Sequence, residues 1–568
     1  MNRIIITLIF SILSLSSKAQ TCEWATAFGG DYIDGSYDLE IDYRNNIICS
    51  GIVNNTVDFN PEGSPYVSGS YDYAGFIAKY DQEGLLMWVA EFAQGSPNIR
   101  LLTSDEYGNI YAFGSFHEEA DFDPGPDIEL QTPVGYNDGF LLKLNSEGEF
   151  DWVKIFQGIT DEPDGLGTGI SPRGLEIDVN GNLFLTAGFA GTVDLDPGPG
   201  EEIHSAEYDS FFIEKLNSDG ELVWLKTIIP PESYGRGARL SDLAVGPFGH
   251  VHITGTFRDS VDFDPGVGFA WHSTEGRGAF VMKLDNNGDF HWSNFIEADY
   301  FLEIQPMYIE VAHDGSIYTS GDFRDEIDFD PSEEELFLEP TGWISLYIQK
   351  LNSSGNFEWC KMLGVDDQGV NVIMEATPSG NLALFGAFRG TIDMDPDEDE
   401  TYYLETNGGY DLFLADINSD GELVSANSFG GEENEYAREI KMSNSGYFYI
   451  NGRYRQTVDF DYGPSELIRT TNGGEDIFLV KLGWYLSVEE QVLNETFSVY
   501  PNPANNFITI SGKTGDALKI IDLTGQIVVE AELNDPLINI NCDLLASGLY
   551  FVTIKRNKSL ITQKLIVN

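Results

Sequence analysis

The sequence predicts an all-β protein: a seven-bladed β-propeller closed by an N-terminal strand, followed by a small β-sandwich. Three observations predict it. A short acidic motif recurs seven times at near-constant spacing, each repeat divides into four strand-length segments, and the composition changes abruptly from about Phe497. The totals agree, since 60 glycines in 568 residues suit short strands joined by tight turns. A hydrophobic content of 42% with 13% aromatics supplies ample apolar surface for a core.

The first nineteen residues read as a signal peptide rather than as fold. Met1-Asn2-Arg3 is a short basic start, Ile4 to Leu15 an apolar run, and Ser17-Lys18-Ala19 a small-x-small cleavage site. The run is short for a bilayer span, and no later segment reaches the about 18 apolar residues a transmembrane helix needs. Removal of residues 1–19 leaves 29 basic and 93 acidic residues. That balance disfavours nucleic acid and anionic lipid as partners and admits cations or basic ligands. The four cysteines (Cys22, Cys49, Cys360, Cys542) lack metal-type spacing. Cys22 and Cys49 are the one pair near enough in sequence to suggest a disulfide in an exported chain.

The repeat carries the architecture. Its motif stands as Val57-Asp58-Phe59-Asn60-Pro61, Ala120-Asp121-Phe122-Asp123-Pro124, Val193-Asp194-Leu195-Asp196-Pro197 and Val261-Asp262-Phe263-Asp264-Pro265. It continues as Ile327-Asp328-Phe329-Asp330-Pro331, Ile392-Asp393-Met394-Asp395-Pro396 and Val458-Asp459-Phe460-Asp461-Tyr462. The leading aspartates are 63, 73, 68, 66, 65 and 66 residues apart. Within the third unit, Gly174 to Val179 and Asn182 to Phe189 flank an Asn180-Gly181 hairpin turn. Phe211 to Leu216 follows the motif as a third strand, and Asn217-Ser218-Asp219-Gly220 turns it into a fourth, Glu221 to Lys226. Four strands at an even period predict propeller blades.

The ends of the repeat predict closure. A fourth-strand tryptophan recurs at Trp24, Trp88, Trp152, Trp224, Trp292 and Trp359, and Trp24 precedes the first motif. The last unit has a third strand, Ile477 to Leu482, but no Asn-x-x-Gly turn or fourth strand after it. The segment around Trp24 fills that vacancy and removes two exposed strand edges. The propeller is assigned to residues 20–485, and over roughly residues 21–484 the layout resembles the SBBP (seven-bladed β-propeller) repeats of exported bacterial proteins, through Asp138-Gly139-Phe140-Leu141-Leu142-Lys143-Leu144 and the Asn-x-x-Gly turns. That resemblance implies a fold and no particular activity.

Residues 486–496 read as a linker and 497–568 as a separate domain with six basic and six acidic residues. Its Tyr500-Pro501-Asn502-Pro503-Ala504, Leu523-Thr524-Gly525-Gln526, Ala546-Ser547-Gly548-Leu549-Tyr550 and Lys564-Leu565-Ile566-Val567 stand in order. The tail resembles the type A sorting domain of type IX secretion substrates. The resemblance implies an immunoglobulin-like β-sandwich, recognition by the outer-membrane translocon, and a secreted or cell-surface destination.

For chemistry, the acidic motifs are the leading candidates. Carboxylates two residues apart on extended backbone share a side, as in Asp121/Asp123, Asp194/Asp196 and Asp262/Asp264. Two readings stand: an oxygen-rich Ca²⁺ site, or an Asp-Pro-Gly turn whose carboxylates hold backbone amides. The tryptophans read as packing. No nucleophile elbow, zinc-protease, Walker or dinucleotide motif occurs, and no cofactor is implied beyond the Ca²⁺ reading. The sequence therefore points to a non-catalytic binding or scaffold propeller for a glycan or protein ligand. Alternatives are a polysaccharide hydrolase or lyase with a central-channel site, and a calcium-stiffened structural surface protein.

Overall fold

A computed structural model describes residues 21–483 and 498–567, apart from 70–72, 160–168, 231–236, 247–248, 298–303, 333, 379, 398–399, 464, 501–506, 512–516, 523–526, 534–536, 542–544, 546–547 and 557–558. The signal-peptide and linker assignments lie outside the described residues, as do Pro501, Asn502, Pro503, Gly525 and Cys542. Among the described residues all regular structure is strand, and no helix is long and apolar enough to cross a membrane.

The repeats build four-stranded antiparallel sheets in a propeller-like arrangement, and the motif either prolongs the second strand, as at Asp194, or forms a short pair of its own, as at Ala120–Asp121 and Ile327–Asp328. The first sheet pairs Gly35–Ile41, Ile47–Val53, Ala74–Tyr80 and Leu86–Phe92 in chain order. The last pairs Tyr436–Met442, Tyr447–Asp459 and Ile468–Gly483, and its fourth strand is Thr21–Phe28 from the other end of the chain. That pairing sets Trp24 against Lys481 and Phe28 against Ile477. Short extensions (Gln157 with Asp194, Gly364 with Asp393) tie neighbouring sheets together at their outer ends.

Consecutive sheets are joined by the same contacts. The indole N–H of a fourth-strand tryptophan reaches the Asn/Asp-x-x-Gly turn of the next sheet: Trp88 donates to the Ser146 carbonyl at 3.2 Å, Trp224 to that of Asn286 at 3.0 Å and Trp359 to that of Ser419 at 3.2 Å. The turn glycine lies against the indole, so close that a Cβ on Gly148 would sit 2.7 Å from Trp88. Gly148 also has φ +83°, which alone selects glycine there. The join between the last sheet and the first uses the same atoms, with Trp24 Nε1 and Lys481 Nζ both donating to the Gln82 carbonyl, at 3.0 and 3.1 Å.

The cysteine expectation is corrected: Cys22 and Cys49 are both free thiols. Cys49 is buried in the first sheet's core, whereas the Cys22 Sγ turns to the Trp24 carbonyl. Burial, followed by the nearby Asp461 carboxylate, pushes the Cys22 thiol up to about 12.

The tail forms two sheets. One pairs Ser498–Tyr500, Phe507–Ser511 and Leu537–Asn541; the other pairs Ile527–Glu532, Ala517–Asp522, Gly548–Arg556 and Ser559–Val567. Ile508 and Ile510 from the first sheet and Leu518, Ile520, Tyr550, Val552, Ile554 and Leu565 from the second make one core. Gly548, Leu549 and Tyr550 open a strand whose register sets Phe551 against Lys564.

One core position carries an unpaid desolvation. Glu214 is wholly buried with both carboxylate oxygens unpartnered, and burial pushes its carboxyl well above the usual range. The equivalent residue two sheets on, Gln349, donates to the Phe329 carbonyl at 2.9 Å. Glu214→Gln is expected to raise stability by about 1–2 kcal/mol at pH 8, the cost of one unsatisfied buried polar group. At pH 5 the protonated wild type should lose most of that disadvantage. Chemical denaturation at the two pH values measures both effects.

Candidate functional site

The acidic motifs are built as stapled hairpins. In every copy the first aspartate accepts two backbone N–H groups on one oxygen. Asp121 Oδ1 takes those of Asp123 (3.1 Å) and Glu129 (2.8 Å), Asp194 Oδ1 those of Asp196 (3.1 Å) and Glu202 (2.9 Å), and Asp262 Oδ1 those of Asp264 (3.2 Å) and Ala270 (2.7 Å). The second aspartate holds the glycine of the turn: Asp123 takes Gly125 N–H at 2.7 Å, Asp196 takes Gly198 at 2.7 Å and Asp264 takes Gly266 at 2.8 Å. Between them Phe59, Phe122, Leu195, Phe263, Phe329, Met394 and Phe460 are fully buried. The motif thus folds a surface hairpin over the sheet and drives one apolar side chain into the core. Among the described residues no group of three or more Asp, Glu, His or Cys is placed to hold a metal.

A second site arises from the first strands of the sheets. Gly35–Ile41, Asn98–Ser104, Gly169–Ile177, Ala238–Val245, Ile304–Val311, Gln368–Ala376 and Tyr436–Met442 all line one central cavity of about 260 Å³. Six of these strands carry a β-bulge at the same register position, which pushes one residue toward the cavity. The bulged residues are Tyr37, Arg100, Arg173, Ser241, Met307 and Arg438. In the remaining strand the irregularity falls earlier, between Gly369 and Asn371. Arginine therefore occupies the equivalent place in the seventh, second and third sheets, with Tyr37 between.

Deeper along the same strands lie carboxylates, and several span from sheet to sheet. Asp38 Oδ2 accepts the Leu102 N–H at 2.6 Å, and Asp242 Oδ2 that of Ile309 at 3.0 Å. Glu310 accepts the Ala376 N–H at 3.3 Å, and Glu375 that of Met442 at 2.9 Å. Each caps an amide on the inner edge of the following sheet, where no strand remains to pair it. Lys441 is the one amine at this depth.

The cavity wall perturbs every one of these groups. Burial leads in raising Glu40 to about 8 and Asp242 to about 7, and Asp38, Glu176, Glu310, Glu375 and Glu439 also rise. Burial pulls the Lys441 ammonium down, but Glu439, Glu375, Glu176 and Glu40 more than reverse it. Nearer the mouth, burial and then Arg100 and Arg239 hold Arg173 below the usual arginine range; burial and then Arg453 do the same to Arg438.

Sequence reasoning found the hairpins and placed a central-channel site only in the enzyme alternative, without identifying the residues that line it. The signal was present as Asp38/Glu40 and Glu439/Lys441 at strand spacing, yet only the bulges reveal which residues are equivalent.

Two outcomes follow. Because the hairpin carboxylates are spent on amides, the unfolding midpoint is expected to stay within about 1 °C on adding EDTA, whereas Asp262→Ala should cost about 1–2 kcal/mol by orphaning two N–H groups. A drop of many degrees with EDTA would restore the calcium reading. The pH dependence runs opposite to that of a salt-bridged carboxylate. A carboxyl that titrates higher folded than unfolded binds protons preferentially when folded, so its contribution to stability falls as pH rises from the ordinary 4.5 of Glu40 through about 8. The midpoint should be higher at pH 5.5 than at pH 8.5, and Glu40→Gln should narrow that gap; a flat profile would contradict it.

Residues 498–568 match the secretion system C-terminal sorting domain family. No curated protein matches the chain by sequence. Among solved structures, the chain is similar to PorZ, an essential bacterial surface component of the type-IX secretion system of Porphyromonas gingivalis, at 14% identity and TM-score 0.30, covering 94% of this chain and 70% of that one. It is also similar to a protein of unknown function from Dyadobacter fermentans (11% identity, TM-score 0.35, 68% and 94% covered). A third is virginiamycin B lyase from Staphylococcus aureus (9% identity, TM-score 0.34, 79% and 95% covered). The sorting tail makes the chain a cargo of the type IX secretion machinery, carried across the outer membrane to the cell surface or secreted.

Proposed function

We propose that this type IX cargo is a non-catalytic binding protein, a closed seven-bladed β-propeller that takes its ligand in the central channel. The closed ring is supported by the pairing of Thr21–Phe28 with Ile468–Gly483 and by the shared use of the Gln82 carbonyl by Trp24 and Lys481. One observation carries the binding reading: the first strand of every sheet lines one cavity, which holds arginines at the bulges and carboxylates further along the same strands. Concave sites with a few convergent polar groups are where ligands bind. Carboxylates that would serve a hydrolase as acid and base are here occupied in part by amides of the neighbouring strand, as Asp38 and Asp242 are.

A glycan and protein-ligand array probed with the mature full-length protein tests this. Bound ligands are expected, and Ser241→Trp, which fills the channel from a bulge, should abolish their binding without lowering the unfolding midpoint by more than a few degrees. Turnover of any polysaccharide by the wild type would overturn the non-catalytic reading. Binding that survives the tryptophan would move the site to the surface loops.

A further inference from the structure

Resting on the reading of the channel as the ligand site, we propose that its arginine-lined mouth binds a small carboxylate-bearing ligand of single sugar-ring size, the uronate class.

The arginines are the first argument. Arg100, Arg173 and Arg438 face one cavity, and among the described residues none has a carboxylate at ion-pair distance. The chain has 93 acidic residues against 31 basic ones, so partners for three guanidiniums are plentiful elsewhere. Instead the three exposed guanidiniums share one wall of the cavity, and Arg100 is among the charges that hold Arg173 and Arg438 down, a field that an anion entering there would relieve. Guanidinium is the group suited to holding a carboxylate by two parallel N–H bonds.

Placement supplies the second argument. The bulged residues sit at the end of the inner strand that pairs with the outgoing end of the second strand, as Gly35 does with Ile52. The acidic hairpins spring from that same end. The hairpins lie at the outer ends of the sheets, as Asp194 does against Gln157, so this face as a whole is acidic around the arginine mouth and disfavours a polyanion approaching it. A ligand with one carboxylate on a compact body passes.

Size and depth give the third. A cavity of about 260 Å³ has room for a sugar ring. Tyr37, Met307 and Tyr308 offer apolar faces beside the arginines. Below them Glu40, held protonated up to about pH 8, can donate to a ligand hydroxyl as well as accept from one. A carboxylate held at the mouth and hydroxyls held below describe a uronate.

Calorimetric titration of the mature full-length protein with glucuronate, glucose and inorganic sulfate tests the proposal. Glucuronate should bind, more weakly as NaCl rises, and at least tenfold more tightly than glucose. Arg100→Gln and Arg173→Gln should each weaken it tenfold or more, with unfolding midpoints within about 2 °C of wild type because both side chains are exposed. That midpoint separates loss of a contact from loss of the fold. Equal affinity for sulfate would overturn the ring-sized ligand, and glucuronate binding untouched by both substitutions would overturn the arginine site. If neutral array ligands bind in a Ser241→Trp-sensitive manner while glucuronate does not, this inference fails and the channel reading stands. If array binding survives the tryptophan, the channel reading itself fails, and this inference with it.

Discussion

The structure depends on what is done with the inner edge of each sheet. Every four-stranded antiparallel sheet ends on a strand whose outward N–H and C=O groups have no further strand to pair with. Here that strand faces the central cavity, where leaving amides bare would cost about 1–3 kcal/mol each. The chain solves this with carboxylates from the preceding sheet, Asp38 to Leu102, Asp242 to Ile309, Glu310 to Ala376 and Glu375 to Met442. The sheets are therefore held by polar bonds at the centre and by tryptophan on glycine at the rim. Pulling two sheets apart would orphan an amide and a carboxylate together.

The same device divides the charges around the cavity into two kinds. Carboxylates that hold amides are structural, and their raised titration follows from being placed where backbone needs them. Lys441 offsets part of their mutual repulsion. The arginines do neither. They stand on bulges, the one point in each inner strand where the ladder is already interrupted and a side chain can be turned inward at no cost in pairing. Carboxylate depth and arginine mouth thus have separate origins, one in strand geometry and one in the choice of residue at a bulge.

Much of this was legible in sequence where a residue's role is local. The Asp-x-x-Pro motif, the Asn-x-x-Gly turn and the alternation of the third strand act within a few residues, so their pattern survives in one dimension. The closing strand was legible because Trp24 lacks strands before it and Ile477 to Leu482 lack one after. The hairpin aspartates stayed divided between turn and metal, because two carboxylates on one side of a strand serve either purpose until their acceptors are known. The lining of the cavity was not legible. Its residues come from strands about 65 residues apart, they are unlike one another (Tyr37, Arg100, Ser241, Met307), and their equivalence is created by bulges that leave no mark in composition. A disulfide between Cys22 and Cys49 was suggested by proximity in the chain. Proximity fails here because Cys22 belongs to the last sheet and Cys49 to the first.

The extreme acidity then has a structural source that binding need not explain. Seven hairpins need an aspartate to accept two amides, and six of them use a second for the turn, which accounts for thirteen of the 93 acidic residues. The inner edges require more. A repeat that solves its backbone problems with carboxylates accumulates negative charge each time it is duplicated, whether or not a ligand favours it. Against that background a positive group is the informative one, since nothing in the repeat demands it. Three arginines at equivalent bulge positions, on the second, third and seventh sheets with Tyr37 of the first sheet between, are the feature that duplication of the stapled unit does not produce.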